Sequence, residues 1–335
     1  MIEVTELLGD GIGPELETAV ATVSDAIPVD LHFNKFDWTL ERRIKEGMVP
    51  ILEGEESLRK THLAIKYPTV TKVESPNAIL RRRCGFSVIY RPVMSIPGIS
   101  TNFTEDVNVH IVRVATGGTY DDPGQLIGDQ AAVSLRIVER GPCEHAASFA
   151  FELAKDHGWA VTSASKHTIQ RVTDGFFESV VSGVSKRYPY VQHKRELFDA
   201  LLGKIVLTPQ EFQVVLVLNE YGDFLSDLAS GMVGSLGTGA NGNFAFHKDH
   251  SISLAMFDPA GGTAPDIAGK NKCNPTAILL ALSMLLEHIG QKKVSAGLKG
   301  AIFGAIADGA KTSDLGGDLS TTDFTAEVVH RIKSG

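Results

Sequence analysis

Two aspartates four residues apart, Asp223 and Asp227, follow a dense run of valine and leucine at residues 214–218. On a helix that spacing puts both carboxylates on one face, where they repel unless a cation lies between them. Their hard oxygen donors suit Mg2+ or Mn2+. The pair follows a segment that reads as a buried strand, and open α/β sheets bind ligands at such strand ends. An ordinary helix N-terminus, where acidic side chains favour the dipole, accounts for Asp223 but poorly for Asp227.

Positive charge is clustered in Ser75-Pro76-Asn77-Ala78-Ile79-Leu80-Arg81-Arg82-Arg83, then in Arg91-Pro92 and Arg113. Guanidinium groups grip carboxylates or phosphates bidentately. For Arg82 and Arg83 a solvated helix face is the simpler reading. Lys166, Tyr120 and Asp199 are of types that carry protons when their pKa values are tuned. Gly9-Asp10-Gly11-Ile12-Gly13-Pro14 follows a strand-like segment, but a dinucleotide fingerprint needs glycine where Pro14 stands, which leaves a tight strand-to-helix turn. No nucleophile elbow or H-E-x-x-H pattern occurs, so hydrolase chemistry of those kinds has no support.

The elements that must position these groups alternate between short apolar runs and amphipathic stretches, the pattern of an α/β protein. Strands are expected at residues 4–8, 62–67, 107–114, 159–164 and 214–218, and helices at 15–26, 77–83, 146–157, 224–232 and 276–288. Residues 117–130 read as a loop or arm, and the glycine-rich stretch 234–243 as a loop and domain junction. The 335 residues are 43% apolar and 21% charged, the balance of a globular protein too long for one small core. A net charge of −8 without a basic block argues against a nucleic-acid partner and favours a small-molecule site with locally gathered arginines. Three scattered cysteines, the lack of a signal-like start and the lack of about 18 continuous apolar residues give the expectation of a cytoplasmic chain without a membrane partner.

Taken together, the motifs resemble one family over essentially the full length: the β-decarboxylating isocitrate and isopropylmalate dehydrogenases. The resemblance is carried by Gly9-Asp10-Gly11-Ile12-Gly13-Pro14-Glu15, Phe149-Ala150-Phe151-Glu152-Leu153-Ala154 and Thr173-Asp174-Gly175. Its most specific segments are Tyr221-Gly222-Asp223-Phe224-Leu225-Ser226-Asp227-Leu228, Thr263-Ala264-Pro265-Asp266-Ile267-Ala268-Gly269-Lys270 and Asn274-Pro275-Thr276. Asp314-Leu315-Gly316-Gly317 and Thr322-Asp323-Phe324 match the closing segment.

The resemblance implies a two-domain α/β fold that is not a standard Rossmann fold. Residues 1–92 and 244–335 would form the large, cofactor-side domain, and 93–243 a small domain with a dimerisation arm. It implies a homodimer with shared active sites, in which Asp223 and Asp227 bind Mg2+ or Mn2+ together with Asp199 of a second protomer. Arg81, Arg91 and Arg113 would hold the carboxylates of a polycarboxylate substrate, with Tyr120 and Lys166 as the proton-transfer groups and Asp199 aiding Lys166. NAD would lie against Gly262, Thr263, Ala264, Asp266, Ile267 and Asn274, and the Asp266 carboxylate would repel the extra phosphate of NADP. Ser75 and Asn77 stand where isocitrate-type relatives hold a third acidic arm. The implied reaction is NAD-dependent oxidative decarboxylation of an isocitrate-like 2-hydroxy acid.

Val114-Ala115 and Gly261 depart from the family pattern, which has a Glu-Asn pair and a histidine at those places. Two alternatives follow. One is a specialised biosynthetic member acting on an isocitrate analogue (a phosphonate-bearing malate, homoisocitrate or a 3-alkylmalate), with Arg82 and Arg83 as extra charge. The other is a non-catalytic regulatory subunit.

Overall fold

The computed structural model describes residues 1–72, 74–103 and 105–334. The chain runs β1 (Ile2–Leu8), α1 (Gly13–Ser24), β2 (Leu31–Asp37), α2 (Leu40–Glu46), α3 (Val49–Thr61), β3 (Leu63–Lys66), α4 (Pro76–Cys84), β4 (Phe86–Met94) and β5 (Asn108–Val114). An arm follows with β6 (Gln125–Ile127) and β7 (Ala131–Val133), then α5 (Arg140–His157), β8 (Val161–Ser165), α6 (Thr173–Ser185), β9 (His193–Leu197), α7 (Phe198–Leu207), β10 (Val214–Val217) and α8 (Asn219–Met232). It ends with β11 (Ala240–Phe246), β12 (Ile252–Pro259), α9 (Thr276–His288), α10 (Lys292–Ala307) and α11 (Thr321–Ser334).

Ten strands form one sheet in the order β2-β1-β3-β12-β11-β4-β5-β10-β8-β9. The two ends are parallel, and three antiparallel pairings, β12 with β11, β11 with β4 and β4 with β5, join them. A doubly wound dinucleotide fold is parallel throughout its core, so this is a different α/β architecture. The expected domain edges at 92/93 and 243/244 fall within β4 and β11, the strands at the centre of the sheet.

Alternation along the strands decides which side chains reach which face. In β10, Val214 and Leu216 join the core under α1, α5, α6 and α9 to α11, whereas Val215 and Val217 pack against α7 and α8. Both faces are covered, which is why the segment reads as an unbroken apolar run. In β5, Val112 and Val114 face the larger core and Val109 and Ile111 face α8. The period of two therefore delivers Arg113 to the α8 face, at the carboxyl end of its strand. Each fully buried Val or Leu contributes about 1.5–3 kcal/mol of apolar transfer, so a slip of one residue that inverted these faces is strongly disfavoured.

On that second face the apolar cover is in two pieces. One gathers Leu58, Leu80 and Phe86 around α3 and α4, and the other gathers Leu201, Leu225 and Met232 around α7 and α8. The seam between them leaves room for polar side chains.

Several expectations shift. Residues 234–243 are not all loop: β11 begins at Ala240, and Gly242 is a strand residue whose Cβ would strike the Phe244 ring. The arm is not all loop either, because Gln125–Ile127 pairs with Ala131–Val133. Helices α5 and α8 start at Arg140 and Asn219, one to two turns earlier than the apolar periodicity indicates, because their first turns are polar. No helix among the described residues is long and apolar enough to cross a membrane.

Candidate active site

The seam gathers three arginines from three elements. Arg81 comes from α4, Arg91 from β4 and Arg113 from β5. Asp223, in the second turn of α8, meets them: it is ion-paired with Arg113 and lies 3.6 Å from Arg91 Nη1. Arg113 Nε also donates to Asn219 Oδ1 at 2.9 Å. The approach of α8 to β5 requires Gly222, because a Cβ there would lie 2.6 Å from the Arg113 side chain.

Burial and mutual repulsion make these charges costly. Burial pushes the Arg113 pKa down to about 10, with Asp223 opposing and Arg91 and Arg81 reinforcing the fall. Burial likewise lowers Arg81, against the pull of Asp258. For Asp223, burial opposes ionisation, but Arg113 and Arg91 outweigh it and hold the carboxyl below its ordinary range. Among the described residues the buried donors Arg81 Nε and Arg91 Nε have no partner, which suits an anion, and the buried acceptor Asn77 Oδ1 has none either. Ser75 precedes α4 as its N-cap residue without making a side-chain cap, so its hydroxyl is not committed to the helix.

Tyr120, on the arm, donates from its hydroxyl to Asp223 Oδ2 at 3.2 Å, and the Arg113 guanidinium lies 5.8 Å from its ring. Burial and then the Asp223 charge raise the Tyr120 pKa, which keeps its proton in place near neutrality. Asp227 is exposed one turn beyond Asp223, without an ion pair or hydrogen bond among the described residues. The donor set on this face of α8, one carboxylate gathered among arginines and one open, fits a hard divalent cation.

Lys166 and Asp199 form a separate pair at 2.6 Å, following β8 and opening α7. The hydrogen bond from Lys166 holds the Asp199 carboxyl below its ordinary range. Among the described residues no three Asp, Glu, His or Cys side chains converge to hold a metal. Asp199 therefore does not meet Asp223 and Asp227 within one protomer.

The segment expected to bind the cofactor forms an exposed loop after β12. Ile12 N donates to Thr263 O at 3.0 Å, and the Glu15 carboxylate accepts from Gly269 N at 3.1 Å and Asn271 N at 2.6 Å. The strand-to-helix turn at residues 9–14 is thus a brace for this loop, through Glu15, whose role local spacing did not reveal. The Asp266 carboxylate is exposed, as are the Gly262 backbone and the open space around it, while Thr263, Ala264 and Ile267 are half-buried. Asn274 is already engaged, donating to Asp314 Oδ2 at 3.0 Å and accepting from Thr276 N at 2.9 Å.

Arg82 and Arg83 take the simpler reading given above: they pair with Glu74 and Glu55 and add no charge to the seam. The side chain of Val114 is buried in the core on the opposite face. Arg136, Asp174 and Glu220 form a buried ion cluster beside Tyr120 and Lys166, with Arg136 reaching both carboxylates. Nothing in the spacing of Arg136, within a polar arm, signals it. A cavity of about 900 Å3 lies apart from this chemistry, on the other face of the sheet between α5 and the α9–α10 pair. Tyr90 and His110, backward-facing neighbours of Arg91 and Ile111, form part of its wall.

The family model for isocitrate/isopropylmalate dehydrogenase matches residues 3–328. The chain is 35% identical to the alpha subunit of the mitochondrial NAD isocitrate dehydrogenase of Macaca fascicularis, with 98% of this chain and 95% of that one covered. It is 33% identical to a regulatory subunit of the mitochondrial NAD isocitrate dehydrogenase of Dictyostelium discoideum, covering 98% and 92%. The crystal structure of isocitrate dehydrogenase from Methylococcus capsulatus superposes with a TM-score of 0.89 at 31% identity, over 99% of this chain and 100% of that one.

Proposed function

The chain belongs to the isocitrate/isopropylmalate dehydrogenase family and has its α/β fold, and from that premise we propose that it oxidatively decarboxylates an isocitrate-like 2-hydroxy acid with NAD+. The observation that carries this reading is the seam itself: Arg91 and Arg113 at the Asp223 carboxylate, the buried Arg81 beside them, and Tyr120 in hydrogen-bond reach of Asp223. Three gathered guanidinium groups suit a substrate with several carboxylates. Unpartnered among the described residues, the Asn77 amide oxygen on α4 and the Ser75 hydroxyl at its N-cap favour a polar substituent over a branched alkyl group.

In this reading the arginines bind and orient the carboxylates, and the dry floor around Arg113 keeps their attraction strong. Asp223 and Asp227, with Asp199 of a second copy of the chain, would hold the divalent cation. When bound, the cation supplies Lewis-acid polarisation of the 2-hydroxyl, and NAD+ supplies the hydride acceptor. The Lys166–Asp199 pair carries away the hydroxyl proton. Tyr120, its proton held by its surroundings, protonates the carbon that has lost CO2. Because Lys166 and Asp199 stand apart from Asp223 and Asp227 in one protomer, a shared site in a homodimer completes the set.

The outward pairing of Arg82 and Arg83 removes the extra charge that favoured a phosphonate analogue. The likeness to a regulatory subunit gives a second reading, a chain that binds without turnover. Against it stand the retained Tyr120, Lys166, Asp199, Asp223 and Asp227. The test is NADH formation by the purified chain alone with Mn2+, NAD+ and a panel of isocitrate, homoisocitrate, isopropylmalate and a phosphonate-bearing malate. Turnover strongest with isocitrate is expected. A chain that binds isocitrate and forms no NADH from any acid is the regulatory reading, and preference for isopropylmalate overturns the roles of Ser75 and Asn77.

A further inference from the structure

Tyr120 and Lys166 lie on different segments, yet one side chain outside both ties them to the same helix. Arg136 closes the arm just before α5 and is mostly buried. Its Nη1 is ion-paired with Glu220 in the first turn of α8, its Nη2 lies 3.1 Å from Asp174 Oδ1, and its guanidinium lies 4.9 Å from the Tyr221 ring. Both carboxylates are buried, so the planar fork of one arginine neutralises two anions that would otherwise repel.

Each carboxylate then passes its position on. Glu220 Oε1 accepts from the Thr119 amide and hydroxyl, both at 3.3 Å, immediately before Tyr120. Gly118 fits against it with φ +70, where a Cβ would collide with the Glu220 carboxylate. Asp174 Oδ2 accepts from the Lys166 amide at 2.7 Å and from the Tyr221 hydroxyl at 3.1 Å. The two ends of the arm are also zipped together, Gly118 N to Ile137 O at 2.7 Å and Ile137 N to Gly118 O at 3.0 Å.

We propose that Arg136 is a positioning residue that, through Glu220 and Asp174, sets the Thr119–Tyr120 segment and the Lys166 backbone on α8, the helix that carries Asp223 and Asp227. It touches neither substrate nor cofactor; the proposal rests on the reading of Tyr120 and Lys166 as proton-transfer groups. A misplacement of about 1 Å at such groups costs on the order of 100-fold in rate. An ammonium cannot span both carboxylates, so lysine does not substitute for the fork.

The experiment compares Arg136→Ala, Arg136→Lys and Arg136→Gln in the full-length chain. The expected result is a fall in kcat of about 100-fold with KM for the acid changed less than about threefold, because the seam arginines are untouched. Added methylguanidinium restores kcat in the alanine variant by about tenfold. Hydrogen exchange, read without substrate, speeds up by about tenfold both at residues 117–120 and at the Lys166 amide. A variant that loses thermal stability with kcat and exchange at both places unchanged overturns the proposal. If the wild-type chain forms no NADH from any acid, the functional reading fails by itself, and exchange still decides: faster exchange at both segments supports the clamp, and faster exchange at neither or only one ends it. Should the alanine variant not fold, the lysine and glutamine variants carry the same readouts.

Discussion

Replacing Arg113 by methionine separates the demands of stability from those of the site. Arg113 is 4% exposed, and its pKa falls from the ordinary 12.5 to about 10, chiefly through burial. At about 1.4 kcal/mol per pKa unit, the charged side chain carries a penalty of about 3 kcal/mol in the folded state. That net figure already contains the opposing pull of Asp223, so what removal adds is the loss of the 2.9 Å hydrogen bond to Asn219. A hydrogen bond from a charged donor is worth about 1.5–3 kcal/mol. The two sides nearly cancel, so Arg113→Met unfolds in urea within about 1 kcal/mol of wild type, or later. Activity does not cancel: losing a buried charge-assisted contact worth about 2–5 kcal/mol lowers kcat/KM by about 30- to 3000-fold. Tryptophan fluorescence in metal-free buffer reads the first quantity and NADH absorbance the second. A loss of about 4 kcal/mol in stability would show that Arg113 is a structural brace, and turnover within threefold of wild type would refute its contact with the acid.

Three further outcomes follow from other parts of the site. Asp227→Asn changes stability by less than about 0.5 kcal/mol, since the side chain is exposed and unpartnered among the described residues; calorimetry with Mn2+ shows affinity at least about tenfold weaker, and unchanged affinity removes Asp227 from the ligand set. Lys166→Met and Asp223→Asn, each inactive alone, regain about a quarter of wild-type turnover when co-expressed, because half of the random dimers hold one intact shared site of two; no recovery in a verified heterodimer rejects the shared site. Burial lowers the His110 pKa to about 3, with Lys299 and His157 reinforcing the shift. The unfolded chain thus takes up a proton near pH 6.5 that the folded chain refuses, and stability drains by up to about 1.4 kcal/mol per pH unit from there down toward pH 3. His110→Gln flattens that slope in urea titrations, and coincident slopes would assign the acid sensitivity elsewhere.

What could be read from the sequence was whatever depends on local spacing. The four-residue interval of Asp223 and Asp227 needs only a helix, and that helix exists. The burial of residues 214–217 on both faces follows from their composition. Strands β11 and β12 were invisible for the converse reason. Asn241, Gly242 and Asn243 break any apolar alternation, and the strand is held instead by pairing on both sides, with Asn243 donating to Asp258 at 3.0 Å. Long-range ion pairs leave no local trace either. Arg81 and Arg82 are chain neighbours, yet one turns to the seam and the other to Glu74, a choice set by how α4 lies on the sheet. Arg136 and Glu220 are 84 residues apart, so only the folded arm brings them together.

The charge distribution explains how an acidic chain can hold an acidic substrate. The net −8 is spread over a large surface, and ionic screening confines each exposed charge to about 8–10 Å. Inside the seam the count reverses, with Arg81, Arg91 and Arg113 facing Asp223, and the nearby buried Lys66 faces Asp258 at 3.9 Å. Low polarisability there makes four cations against two anions a stronger influence than the distant excess of carboxylates. Arg113 and Arg91 hold Asp223 ionised, whereas burial and the Asp223 charge raise the Tyr120 pKa against the opposing pull of Arg113, so the groups proposed for metal binding and proton donation are coupled to the arginines proposed for the acid. The binding and reacting parts of the site are therefore one electrostatic unit, and changes to any of these five residues are expected to be non-additive.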